Sequence, residues 1–120
     1  MKLRIKGDSL RLRLTQGEVA RLAASAQITE SMHLTGARLV YTLLADADAH
    51  DISARLRDSQ LVVVLPQSLM QSWAKSEQVS IRGQDGPVQI LVEKDFACLQ
   101  PRDGEDDADA FPHPDQPRHD

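Results

Sequence analysis

At 120 residues the chain is sized for one domain, and its lone cysteine, Cys98, excludes an internal disulfide. Aromatics make up 3% of the residues, too few for the stacking platform of a single-strand binder, and no apolar run approaches the ~20 residues of a membrane helix. The net charge of −4 is lopsided: residues 1–44 hold seven Lys/Arg against three Asp/Glu, and the remainder holds seven against fifteen.

From the start, Leu3 and Ile5 alternate with Lys2, Arg4 and Lys6, which is no secretory leader pattern. Leu10, Leu12 and Leu14 then alternate with Arg11 and Arg13. Period two over both runs predicts two strands with one buried face each. Gly7-Asp8-Ser9 supplies the turn of a hairpin. Thr15 with Glu18 three residues on matches a capping box. Val19, Leu22, Ala23 and Ala26 follow at helical spacing, so a helix of about 10 residues is expected. Residues 28–34 and 37–45 read as two further strands around Thr35-Gly36.

The pattern then restarts at a displacement of 51. Leu14-Thr15-Gln16 matches Leu65-Pro66-Gln67, Leu22-Ala23 matches Trp73-Ala74, and Ser25, Gln27 and Ile28 match Ser76, Gln78 and Val79. Upstream, Arg4 matches Arg55 and Leu10 matches Leu61. Pro66 suits a first helical turn, and Asp85-Gly86 is a tight-turn dipeptide. The expected architecture is mostly-β α+β, two tandem ββαββ units sharing one core as a pseudo-two-fold barrel or sandwich. A single domain spans 1–99, with repeat 1 at 1–46 and repeat 2 at 52–99. Residues 100–120, acidic and Pro-rich, read as a tail.

The expected core comprises Leu3, Ile5, Leu10, Leu12, Leu14, Val19, Leu22, Leu39, Tyr41, Leu61, Val63, Leu65, Trp73, Val79, Ile81, Ile90 and Val92. Phe96 to Leu99 would complete the last strand.

The repeated unit resembles the AbrB/MazE swapped-hairpin family. The first copy offers Gly7-Asp8-Ser9, the Leu10/Leu12/Leu14 strand and Gly36. The second offers Leu61/Val63/Leu65-Pro66, Glu77-Gln78-Val79 and Asp85-Gly86. Together the copies cover about 90 residues. Thr15 stands where the family pattern has Pro, and Ser25-Ala26 and Ser76-Glu77 stand where it has Gly-Asp. The resemblance implies a pseudo-dimeric swapped-hairpin barrel, with DNA-binding or antitoxin-like regulation through the first hairpin. The whole-chain texture also looks like small bacterial proteins of unknown function.

Three constellations could carry chemistry. Lys2, Arg4, Lys6, Arg11 and Arg13 should share one face of the first hairpin. Like charges across a strand pair destabilise by roughly 0.2–1 kcal/mol each, so the face calls for counter-charge. Nucleic-acid phosphate, acids of the same chain, solvent and another acidic partner are the competing sources. Val62 and Val64 occupy the positions of Arg11 and Arg13 in the second copy. They are covered by the tail or a helix, or they meet a partner. Asp103 to Asp109 form an acid run that could compete with DNA for the basic face, with Phe111 as its anchor.

Cys98, His113 and His119 with Asp106, Asp107 and Asp109 match no zinc or EF-hand spacing, so no metal or other cofactor is expected. No P-loop, G-x-G-x-x-G or G-x-S-x-G is present, and no enzyme is expected. The expected partners are DNA or, alternatively, another protein bound by a non-catalytic interaction module. A membrane partner is not expected, and the expected compartment is the cytoplasm. The sequence leaves the oligomeric state open.

Overall fold

The alternating runs become strands and the capping box starts a helix. The computed structural model describes residues 1–95. In chain order these form β1 (Lys2–Lys6), β2 (Ser9–Leu14), α1 (Gln16–Ser25), β3 (Gln27–Leu34), β4 (Ala37–Asp46), β5 (Ser53–Arg57), β6 (Gln60–Pro66), α2 (Gln67–Lys75), β7 (Ser80–Asp85) and β8 (Val88–Lys94). The fold is mostly-β α+β, with eight strands in two four-stranded sheets. The readings placed on Phe96–Leu99, the acid run and Phe111 lie outside the described residues.

The first sheet has the order β1-β2-β8-β7 and the second β3-β4-β6-β5. Each joins two antiparallel hairpins through one parallel contact, β2 with β8 and β4 with β6. Parallel neighbours cannot be linked by a tight turn. The hairpin at the start of the chain is therefore tied to the one at its end. Hairpin registers repeat at the displacement of 51: Lys2 faces Arg13 as Ser53 faces Val64, and Thr29 faces Thr42 as Ser80 faces Glu93.

The parallel contacts do not repeat in the same way. Leu12 lies opposite Val92, whereas its counterpart Val63 lies opposite Leu43, two residues beyond the position matching Val92. A two-residue slip keeps every side chain on its own face, where a one-residue slip would turn the core outward.

Leu10, Leu12, Leu14, Ile81, Ile90 and Val92 of the first sheet share one buried cluster with Leu43, Ala45, Val63 and Leu65 of the second. Helix α1 adds Val19 and Leu22, and α2 adds Met70 and Trp73. Thr15 caps α1 as expected: its hydroxyl accepts from the Glu18 N–H while Glu18 accepts from the Thr15 N–H. Trp73 is fully buried, and its Nε1–H donates to the Val79 carbonyl at 3.0 Å, so burial leaves no donor unpaired. Lys94 Nζ sits 5.6 Å from the ring centroid, within cation–π range.

Two expected core residues are not in it. Ile5 is 59% exposed, because it lies near the hairpin tip and lines a shallow groove with Leu56. Val79 is 47% exposed. Its backbone is what the fold uses, the carbonyl accepting from Trp73 Nε1 and from the Lys94 N–H at 3.0 Å. Leu3, Leu39, Tyr41 and Leu61 are half-buried. Met1, Ile28, Leu43, Ala45, Ile52 and Met70 join the core without having been expected there.

Candidate nucleic-acid interface

With Leu10, Leu12 and Leu14 turned inward, Arg11 and Arg13 take the outer face of β2. Antiparallel pairing sets Arg4 opposite Arg11 and Lys2 opposite Arg13. The parallel contact then adds β8: Leu91 lies beside Arg11 and Glu93 beside Arg13. On the last strand Arg82 lies opposite Leu91. One row thus crosses the whole sheet as Arg4, Arg11, Leu91, Arg82. The next row reads Lys2, Arg13, Glu93, Ser80.

Among the described residues Glu93 is the main counter-charge. Its Oε1 accepts from Arg13 Nε at 3.0 Å and Nη2 at 2.9 Å, and lies 3.3 Å from Arg11 Nε. Arg13 and Glu93 are nearly buried, with side chains 13% and 14% exposed, so this pair is part of the packing. Lys2 Nζ lies 3.7 Å from Asp95 but is half in water, where such a contact is worth little. Glu93 and Asp95 therefore offset part of the basic hairpin. They do not offset all of it: Lys6 and Arg82 have no ion pair among the described residues.

Arg4, Lys6, Arg11 and Arg82 line a concavity of about 310 Å³, floored by Ile90, Leu91 and the backbone of Gly83. Leu91 is much shorter than the arginines that flank it. The row therefore forms a trough with guanidinium walls. Neighbouring strands lie about 4.8 Å apart, so Arg11 and Arg82 are rooted roughly 10 Å apart, close enough to converge on one anion.

A family model aligns with residues 1–115, which takes in this entire sheet. The chain belongs to that family, a family of unknown function (DUF7009). Neither a search of curated proteins nor one of solved structures found a match.

Of the candidate residues of this family member, the structure brings Lys2, Arg4, Lys6, Arg11 and Arg13 to one sheet as expected. It adds Arg82 and Glu93, which sequence reasoning missed. Their arrival depends on β2 pairing with a strand some 80 residues later, and the only local signal was the alternation of Ile81 with Arg82. Val62 and Val64 are half-buried on the outer face of the second sheet, where Thr42 and Leu44 lie beside them and Arg55 and Ser53 opposite. The two sheets thus present different outer surfaces, one cationic and one apolar at its centre.

A second polar cluster closes one end of the core. The Met1 side chain is buried, and its ammonium is bonded to Glu18 and Glu30. Burial alone would push that ammonium down, but the hydrogen bonds and charges of Glu18 and Glu30 outweigh it and hold the group above its ordinary value. Glu18 is the mirror case. Burial would raise it, and the Met1 ammonium with the Thr15 backbone N–H brings it below the usual carboxylate range. Tyr41 is raised by burial and by Glu30 and Glu18.

Among the described residues no helix is long and apolar enough to cross a membrane, and no three His, Cys, Asp or Glu side chains gather as a metal site. Cys98, His113 and His119 lie outside the described residues.

Proposed function

We propose that this chain is a tandem AbrB/MazE-like swapped-hairpin protein acting as a DNA-binding or antitoxin-like regulator. It is non-catalytic, and the outer face of its first sheet contacts nucleic-acid phosphates. The swapped reading is supported by the first and last hairpins sharing a sheet while the two middle hairpins share the other. The duplication is supported by hairpin registers that repeat at 51 residues. The likeness to the AbrB/MazE family itself rests on the motifs.

The observation that carries phosphate contact is the arginine row. Three like charges along one row of a sheet are unfavourable in isolation. A polyanion lowers that cost and releases its own counterions. Lys2, Arg4, Lys6 and Arg11 are the contact residues, with Arg13 held by Glu93 as the frame. Sequence preference would need contacts to base edges, so the row supplies affinity and positioning. Titration of a random DNA duplex tests this. Binding that survives charge reversal of Arg4, Lys6 and Arg11 would end the reading.

A second reading is favoured by the other face. Val62 and Val64 replace two arginines, and Glu93 blunts the hairpin. In this reading the protein is an interaction module whose second sheet meets another protein. It predicts a saturable protein partner lost on Val62→Asp, with duplex affinity unchanged by that substitution.

A further inference from the structure

We infer that Arg82, from the last hairpin, is a phosphate-binding residue. With Arg4, Arg11 and Lys6 it forms one anion site per chain, suited to a nucleic-acid backbone phosphate. This rests on the proposal that the first sheet meets nucleic acid, and it names the site at which it does so.

Register puts Arg82 in line with Arg11 and Arg4, separated from Arg11 only by Leu91. The concavity of about 310 Å³ is lined by these arginines with Lys6, and among the described residues no acidic side chain lines it. Arg82 is exposed and has no ion pair among the described residues, so its guanidinium can take a ligand at no cost in internal pairing. Arg11 meets Glu93 through Nε at 3.3 Å and also lines the trough. Guanidinium forks suit phosphate oxygens, which they meet in bidentate fashion.

The site is single. Under the displacement of 51, the positions matching Arg4, Arg11 and Arg82 are Arg55, Val62 and Ser31. The two-residue slip separates them: Arg55 and Val62 share a row of the second sheet with Thr42 and Thr29, while Ser31 lies in the row of Val40 and Gln60. Of the three matching positions only Arg55 carries charge. A chain with two similar halves therefore offers one phosphate track, and its stoichiometry on a short duplex is one site per chain rather than two.

The test is fluorescence anisotropy of the full chain on a short random-sequence DNA duplex across a salt series. Variants are Arg82→Ala, Arg82→Lys and the exposed control Arg38→Ala on the second sheet. Trp73 emission verifies that each variant is folded. The site predicts about tenfold weaker binding for Arg82→Ala, as for a lost charged hydrogen bond. The slope of log affinity against log salt should fall by about one unit. Arg82→Lys should lie between, and Arg38→Ala should match the unaltered chain.

Arg82→Ala binding like the unaltered chain while Arg11→Ala binds weakly would overturn this inference and leave nucleic-acid binding standing. Equal losses for Arg82→Ala and Arg38→Ala would also overturn it, since general charge would then explain both. No binding by the unaltered chain would remove the reading beneath it as well. Inorganic phosphate is the second probe. Backbone recognition predicts only weak competition at millimolar concentration, and saturable phosphate binding without duplex binding would contradict it.

Discussion

Gly83 on β7 lies directly against Ile52 at the entrance to β5: a methyl placed on Gly83 would stand 2.7 Å from both Cβ and Cδ1 of Ile52. This contact, with Asp85 Oδ2 accepting from the Ala54 N–H at 3.0 Å, joins the edges of the two sheets. Ile52 Cβ is fixed by the backbone, so the side chain cannot swing clear. Gly83→Ala is expected to destabilise the protein by about 1–3 kcal/mol, the range for overpacking. Urea unfolding followed by Trp73 fluorescence measures it. Adding Ile52→Ala should cost somewhat less than the two separate losses together, because the Cδ1 contact is removed while the Cβ contact remains.

Ala26 ends α1 in the left-handed region at φ 70°, with its N–H bonded to the Leu22 carbonyl and its own carbonyl accepting from the Ala45 N–H. A Cβ in this conformation costs roughly 1–2 kcal/mol. Ala26→Gly is expected to stabilise by about 1 kcal/mol, raising the urea midpoint with an unchanged slope. An unchanged or lower midpoint would show that the strain is relieved in some other way.

Met1, Glu18 and Glu30 predict a stability plateau with two edges. Glu18 is held below its ordinary value of 4.5, net of burial, by the Met1 ammonium and Thr15. Its contribution is complete above that value and lost as pH falls through the lower folded value. The Met1 ammonium is held above 8.0 against the pull of burial. Its contribution is complete below 8.0 and lost as pH rises through the higher folded value. Glu18→Gln should lower the plateau and flatten both edges in unfolding curves taken from pH 3 to pH 10, a range set to bracket ordinary values of ~4 and ~8. Parallel curves for the two proteins would refute the pairing.

Glu93 holds Arg11 and Arg13 against the sheet. Glu93→Gln keeps a side-chain oxygen for Arg13 but removes the charge. Duplex affinity should rise, and the salt dependence should steepen by about one phosphate contact as Arg11 is released. A fall in affinity with the fold intact would mean that Glu93 positions the arginines for the ligand.

Much of the fold was legible because period two and period 3.6 are local signals. The hairpins, the capping box and the boundaries of α1 follow from neighbouring residues. Ile5 and Val79 show where that logic stops. Both occupy apolar positions of an alternating pattern, yet both stay exposed, Ile5 in a shallow groove near a hairpin tip and Val79 just before β7. Ile52 and Met1 escaped notice because each stands alone ahead of its strand. The candidate site was half legible. Lys2, Arg4, Lys6, Arg11 and Arg13 alternate in plain view, whereas Arg82 and Glu93 join them only through the β2·β8 contact, which no local pattern encodes.

The most direct measurement is anisotropy of a random DNA duplex at low and moderate salt, with the full chain and with a chain ending at Leu99. Removing residues 100–120 deletes seven acids and two cations and takes the net charge from −4 to +1. We expect binding that weakens steeply with salt, by about 0.9 log units per phosphate contact, and that is tighter for the shorter chain. No binding by either form at low salt would contradict nucleic-acid contact by the arginine row.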